Sequence, residues 1–325
     1  MNVRKKKHLL TCAVFFLILL GTVFLSGCQK KKRDVIGIAE QYGIAYAPLN
    51  IMKELGILEE KLPGVTIEWK QFGGPTAIRE SMLNGEVDFG FMGIAPVLIG
   101  IDNGMEWKYA TGISSNEVAI VTDRPEIKTL KDFSSEDRIA ILSPGCTQHV
   151  LLCMLADEQL GDARALDHQT VSMTHPDALQ ALISDTEITA HIATPPYIDK
   201  ELQAGMSVMA TGEEIMGQSF TFISGVAMTK FYEEHPDWYA AFIEALDESI
   251  DYINENMEEC VQILAPVYGI SEEDLMKQMT YNGTIYTNRL EGVEKISAAM
   301  QKMGFTSGNP DFDTIIFDNV NRDKE

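Results

Sequence analysis

The chain has 325 residues, length enough for about two domains. Hydrophobic residues make up 45% and charged residues 23%, the proportions of an ordinary globular protein, which excludes a disordered chain and a membrane protein of many spans. Acids outnumber bases 48 to 26, and the net charge of −22 argues against a nucleic-acid partner and against an anionic membrane surface as the partner of the folded part.

Residues 1–27 read as an export signal. Arg4, Lys5, Lys6 and Lys7 form a basic front, Leu9 to Leu25 is a nearly unbroken apolar run, and Leu25-Ser26-Gly27-Cys28 follows. Basic, apolar, small and Cys in that order resemble the bacterial lipobox, in which the cysteine carries lipid after cleavage. An uncleaved membrane anchor is the alternative, but the run is at the short end for a span, and Lys30, Lys31, Lys32 and Arg33 make its second flank basic too. Lipidation is therefore expected at Cys28, with 28–33 as a short tether. The folded part would then lie outside the cytoplasm, anchored to the outer face of a bacterial cytoplasmic membrane. Of the other cysteines, Cys12 falls in the signal, and Cys146, Cys153 and Cys260 are odd in number. Cys146 and Cys153 lie too far apart along one predicted helix to be bridged, so all three are expected to be free thiols.

Short strands then alternate with helices, the pattern of an α/β protein with largely parallel sheets. Strands are predicted at 35–39, 65–72, 87–91, 107–113 and 117–122, with helices opening at Pro48, Thr76 and Gly93-Ile94-Ala95-Pro96 between them. A second unit begins near Asp123-Arg124-Pro125. It carries strands at 138–142, 169–173, 188–193 and 207–210, and helices ending at Leu160, Ile183 and Leu202. Phe220 to Met228 is predicted as the strand that returns to the first unit. Beyond it the chain is mainly helical: a long amphipathic helix from His235-Pro236-Asp237, a helix capped by Ser271 with Asp274, and a last helix over about 292–303. Lobe one is thus expected over 34–123 plus 225–325, and lobe two over 124–224. Two crossings between lobes make a hinge with a cleft beside it.

The loops Gly73-Gly74-Pro75-Thr76, Gly93-Ile94-Ala95-Pro96 and Ser143-Pro144-Gly145-Cys146-Thr147-Gln148 share one design. Each follows a strand and opens a helix, where ligands bind in open α/β sheets and where N–H groups attract oxyanions. None contains Lys or Arg. Arg79 lies a turn inside its helix, and Glu40 and Glu117 sit close to the loops.

The residues IGIAEQYGIAYAPL, FGGPTAIRESMLNGEVDFGFMGIAPVLIG, SPGCTQHVLLCMLADEQLGD, HPDALQALISDTEITAHIATPPYIDKEL and TFISGVAMTKFYEEHP, in this order over about 35–240, resemble the substrate-binding proteins of ABC transporters in the nitrate/sulfonate/taurine family. The resemblance implies the two-lobed type II periplasmic-binding fold, each lobe a mostly parallel sheet flanked by helices, and a solute receptor that serves a membrane permease as a monomer. It implies that Gln41, Tyr42, Gly74, Thr76, Ala95, Ser115, Asn116, Thr147, Gln148, His149 and Thr194 line the cleft. Because the loops carry no basic residue, the ligand class stays open at this point: a sulfonate or taurine-like molecule held by helix ends, a cation held by Glu40, or a small heterocycle stacked on Tyr42 or Tyr46.

Other chemistry finds less support in the residues. Cys146 at a helix start with His149 three positions on invites a nucleophile reading, but no third orienting residue is evident. A pyrimidine-synthesis enzyme of the same architecture would need a Cys-rich segment and a cofactor lysine, and neither is found. An extracellular ligand-sensing module shares every feature with a transport receptor. With no HxxxH or CxxC pair and no Walker loop, no metal, cofactor or catalytic residue is assigned. His175-Pro176-Asp177 reads as a helix start, and His191 as a core residue of its strand. Tyr46, Phe72, Phe91 and Trp107 are candidates for an aromatic wall, at least two of them for the core.

Overall fold

A computed structural model of the chain describes residues 34–280 and 284–321. The export signal, Cys12, Cys28 and the tether 28–33 lie outside the described residues. The described residues from Ile36 onward form one compact unit.

The order of elements is β1 (Val35–Glu40), a 3-10 turn (Ile44–Tyr46), α1 (Ala47–Leu55), α2 (Ile57–Lys61), β2 (Thr66–Gln71), α3 (Pro75–Leu83), β3 (Phe89–Met92), α4 (Ile94–Asp102) and β4 (Trp107–Ser115). The chain continues through β5 (Ala119–Thr122), β6 (Ile139–Ile141), α5 (Thr147–Leu160), β7 (Thr170–Ser172), α6 (His175–Ile183), β8 (Ala190–Ala193), α7 (Tyr197–Gln203), β9 (Ser207–Thr211) and α8 (Gly212–Met216). It ends with β10 (Ile223–Met228), α9 (Thr229–Glu234), α10 (Pro236–Glu255), α11 (Met257–Tyr268), α12 (Glu272–Met279), β11 (Ile285–Tyr286) and α13 (Val293–Lys302).

These strands form two sheets, ordered β11-β4-β10-β3-β1-β2 and β7-β6-β8-β5-β9. The α/β two-lobed class agrees with the sequence reading, but the sheets are mixed rather than largely parallel. β1 with β3, and β6 with β7 and β8, run parallel. β10 runs antiparallel to β3 and β4, and β5 antiparallel to β8 and β9. The reason is the path of the chain. β5 and β10 are the strands that follow a crossing, so each enters its sheet from the cleft end and runs against the strands that point toward the cleft. The strand expected at Glu117 to Thr122 is β5, and its partners belong to the second sheet. The chain therefore changes sheets between Ser115 and Ala119, not at residue 123, and changes back between Thr211 and Ile223.

The first sheet is held from behind by α10. Its buried residues Tyr239, Phe242, Leu246, Ile250 and Ile253 recur at helical spacing. Phe242 stacks on Phe89 with ring centroids 3.8 Å apart, and Phe231 and Tyr239 close around the same ring. Phe91 and Trp107 are core residues and Phe72 packs half-buried against the same core, which leaves Tyr46 as the member of the anticipated aromatic wall that reaches the cleft. Cys146, Cys153 and Cys260 are free, as expected, and buried. Among the described residues no helix is long and apolar enough to cross a membrane.

Truncating Phe242 to Ala removes the ring between β3 and α10. A loss of about 3–5 kcal/mol is expected, seen as a lower urea midpoint at unchanged slope; a midpoint within experimental error of the parent would show that this cluster does not carry the sheet.

Candidate functional site

Loops from both sheets meet at one enclosed space. The first sheet contributes Gln41, Tyr42 and Tyr46 after β1, Pro75 at the start of α3, and Gly93 and Pro96 at the start of α4. The second contributes Cys146, Thr147 and Gln148 at the start of α5, His175 at the start of α6, and Thr194 after β8. The space measures about 20 Å³, room for one water molecule. Its described lining contains no Asp, Glu, Lys or Arg.

Local sequence explains why helices begin here. Pro75 is preceded by an extended Gly74, and Pro176 sits in the first turn of α6, positions where a missing N–H costs nothing. Thr174 caps α6 by accepting from the Asp177 N–H, and the Cys146 thiol accepts from the His149 N–H. The starts of α3, α4, α5 and α6 thus bring four positive helix ends to one place.

The sheets approach closely at this seam. The Ala95 N–H in α4 donates to Thr147 Oγ1 in α5 at 3.3 Å. A Cβ on Gly93 would fall 2.1 Å from the same Oγ1, and one on Gly73 would fall 2.8 Å from Thr174 Cγ2. Glycine at these two positions is what allows the loops of one sheet to touch those of the other. Gln41 is fixed by donating to the Phe91 carbonyl at 3.2 Å. Behind it, Glu40 accepts from Asn50 at 2.6 Å, and burial lifts its carboxyl to about 7.

The second sheet adds three residues that the sequence did not single out together. His175 Nε2 lies 3.4 Å from the Gln148 amide nitrogen and 3.5 Å from Thr194 Oγ1. His175 Nδ1 lies 2.8 Å from His191 Nε2, and His191 Nδ1 lies 2.6 Å from Glu201 Oε1. The His175 ring stacks on Tyr197 at 5.2 Å. Only the outermost of the three, His175, reaches the cleft.

Of the residues anticipated from the sequence, Gln41, Tyr42, Tyr46, Thr147, Gln148 and Thr194 line the space, and Gly74 and Ala95 adjoin it. The others lie elsewhere. Thr76 belongs to a separate depression with Arg79 and Asn103, and Arg79 reaches toward the Pro96 carbonyl at 3.5 Å. Ser115 donates to the Phe220 carbonyl, and Asn116 lies 3.5 Å from Thr284 Oγ1, both at the first crossing between sheets. His149 turns away: its Nδ1 accepts from the Gly145 N–H and its Nε2 meets Asp167 at 3.0 Å. With both ring nitrogens so engaged, His149 does not address the Cys146 thiol, which burial pushes up.

The NMT1-like family matches residues 35–265. The chain belongs to the NMT1-like family. A Bacillus subtilis (strain 168) relative, named for binding aliphatic sulfonates, is 24% identical over 289 residues, which cover 86% of this chain and 81% of the relative. The alkanesulfonate-binding protein SsuA from Xanthomonas axonopodis pv. citri, solved bound to MOPS, superposes with a TM-score of 0.73 at 18% identity, over 89% of this NMT1-like chain and 99% of that one. The periplasmic nitrate-binding protein NrtA from Synechocystis PCC 6803 does so with a TM-score of 0.72 at 14% identity, over 89% and 86%. The resemblance to ABC substrate-binding proteins of the nitrate/sulfonate group is borne out, and with it the periplasmic-binding fold.

Two outcomes follow from the seam. Gly93→Ala should push α4 off Thr147 and favour separated lobes; small-angle scattering should show a larger radius of gyration with an unchanged circular dichroism spectrum, and an unchanged radius would place the closing contact elsewhere. Glu40, raised from its ordinary 4.5 to about 7, binds its proton more tightly folded than unfolded. Its contribution is full below about pH 4.5 and is lost as pH rises through about 7. Glu40→Gln should therefore gain up to roughly 3 kcal/mol over the parent between those pH values and nothing below them; parallel stability–pH curves would contradict the assignment.

Proposed function

We propose that this chain is an extracytoplasmic solute-binding receptor that closes on a small molecule and delivers it to the membrane permease of an ABC importer. The observation that carries this reading is the meeting of loops from both sheets at one enclosed space. A ligand touching both at once stabilises the closed arrangement over the open one, and that difference is what a permease can recognise. Because the space holds little more than a water, an organic solute enters only when the lobes separate.

The chemistry of the lining favours a small organic oxyanion, of which an aliphatic sulfonate is the nearest candidate. Four positive helix ends and the neutral donors of Gln41, Thr147, Gln148 and Thr194 face the space, and no carboxylate in the lining opposes a negative charge. Relatives named for binding sulfonates support the same class. A catalytic reading gains nothing from the geometry, since the buried Cys146 thiol has no free imidazole beside it. Cys28, placed after a basic front and an apolar run, is the proposed lipid attachment site. It would tether the receptor to the outer face of the cytoplasmic membrane, acting as a monomer.

A thermal-shift series with ethanesulfonate, taurine and nitrate tests the class. At a hundred times Kd a ligand adds about 2.7 kcal/mol, which should raise Tm by about 5 °C. Thr147→Ala and Tyr42→Ala should each weaken binding about tenfold or more without unfolding the protein. No shift with any of the three, or full affinity in both variants, would move the ligand class or the site.

A further inference from the structure

Glu201, His191 and His175 form a line of hydrogen bonds that starts in the core of the second lobe and ends at the cleft wall. His191 is 1% exposed and Glu201 0%, so neither meets solvent. A buried charge without a partner of opposite sign is costly, and the groups around this line supply none close by. Tyr197, Asp199 and Lys200 share α7 with Glu201, and Lys200 lies 5.9 Å from the Tyr197 ring centre. Asp177 on α6 is taken up by Thr174 at 2.6 Å. β5 and β9, which pack against α7, carry no ionisable side chain. β8 carries only His191. On α5, Gln148 faces His175, while His149 is engaged with Asp167 and Asp157 with Lys302.

Two proton arrangements satisfy the three contacts, and they differ at the cleft. With one proton shared between Glu201 and His191, His191 Nε2–H donates to His175 Nδ1. Neutral His175 then carries its own proton on Nε2, so an N–H points at the cleft and the cluster has no net charge. With that proton gone, the Glu201 carboxylate accepts from His191 Nδ1–H, and His191 Nε2 accepts from His175 Nδ1–H. His175 Nε2 then shows a lone pair to the cleft, and the cluster is negative. Gln148 places its amide nitrogen, a donor, 3.4 Å from His175 Nε2, which suits the lone-pair state, and turning the amide end for end sets its oxygen there, which suits the N–H state. Loss of a single proton at the buried end thus turns a donor into an acceptor at the wall and adds a negative charge behind it.

We propose that the Glu201–His191–His175 relay is a specificity determinant of the cleft, presenting an imidazole N–H to the anionic end of a ligand only while it holds one proton, so that an anion binds together with that proton. The proposal rests on the solute-receptor reading and names what selects for an anion in a lining without Lys or Arg. Burial favours the protonated state near neutral pH. It lifts Glu201 to about 8, holds His191 down to about 3, and holds His175 well below the ordinary imidazole range.

Calorimetric titration of the full chain with ethanesulfonate from pH 6 to 9.5, in buffers of different ionisation heat, tests this. The expected result is a Kd independent of pH below about 7.5 and rising about tenfold per unit above about 8, with uptake of one proton per ligand near pH 9 and none at pH 6. Glu201→Gln, which stays uncharged at every pH, should keep its low-pH affinity up to pH 9.5. A flat wild-type profile without proton uptake, or a Glu201→Gln profile like that of wild type, would overturn the proposal; if the variant does not fold, wild-type proton uptake decides. If ethanesulfonate binds at no pH, the sulfonate reading fails, and the relay is judged on the free protein by nitrogen-15 spectra of its histidines. His175 Nε2 should pass from N–H type to lone-pair type between pH 7 and 9.5, and a nitrogen that keeps one type throughout would overturn it.

Discussion

Two backbones must come within van der Waals reach of each other for the cleft to exist, and everything at the site depends on that approach. The Ala95 N–H can donate to Thr147 Oγ1 because Gly93 leaves room for the threonine. Gly73 does the same opposite Thr174. Small residues on one lobe and hydroxyls on the other bring the helix starts together, and the helix starts supply polarity that no basic side chain in the lining provides. On the proposed function, dipoles and hydrogen bonds would hold an anion here, and parting the seam would release it.

The fold behind the seam is what makes parting possible. Each sheet has its own flanking helices, and the chain crosses between them at 116–118 and again between Thr211 and Ile223. Few residues therefore have to change conformation for one lobe to move against the other. The Phe89–Phe242 stack lies behind the first sheet, away from the seam.

Much of the element order was legible in the sequence, because buried strands and Pro- or Gly-started helices alternate with clear punctuation. Strand partners were not. The segment at Glu117 to Thr122 reads as a strand, yet nothing in it says whether it pairs with Trp107 to Ser115 before it or with the much later β8 and β9, and two of the antiparallel strands, β5 and β10, are those that follow crossings. At the site, loop residues at helix starts were recognisable, and Gln41, Thr147, Gln148 and Thr194 meet as the loop design implied. His149 did not follow because one step along the helix rotates a side chain from the cleft to Asp167. The relay stayed hidden for a different reason. His175 read as a helix start and His191 as a core residue of its strand, and both readings are locally true. Only the packing of α6 and α7 against β8 reveals that the two rings and Glu201 touch.

On the proposed function, a small organic anion draws the two lobes together across this seam. Spin labels placed at exposed positions, Leu83 in the first lobe and Ile183 in the second, allow their separation to be measured by pulsed electron resonance with and without saturating ethanesulfonate. Without ligand the distance distribution should be broad or double, and it should collapse onto its shortest component when ligand is added. A single distance unchanged by ligand that nonetheless binds would contradict this reading.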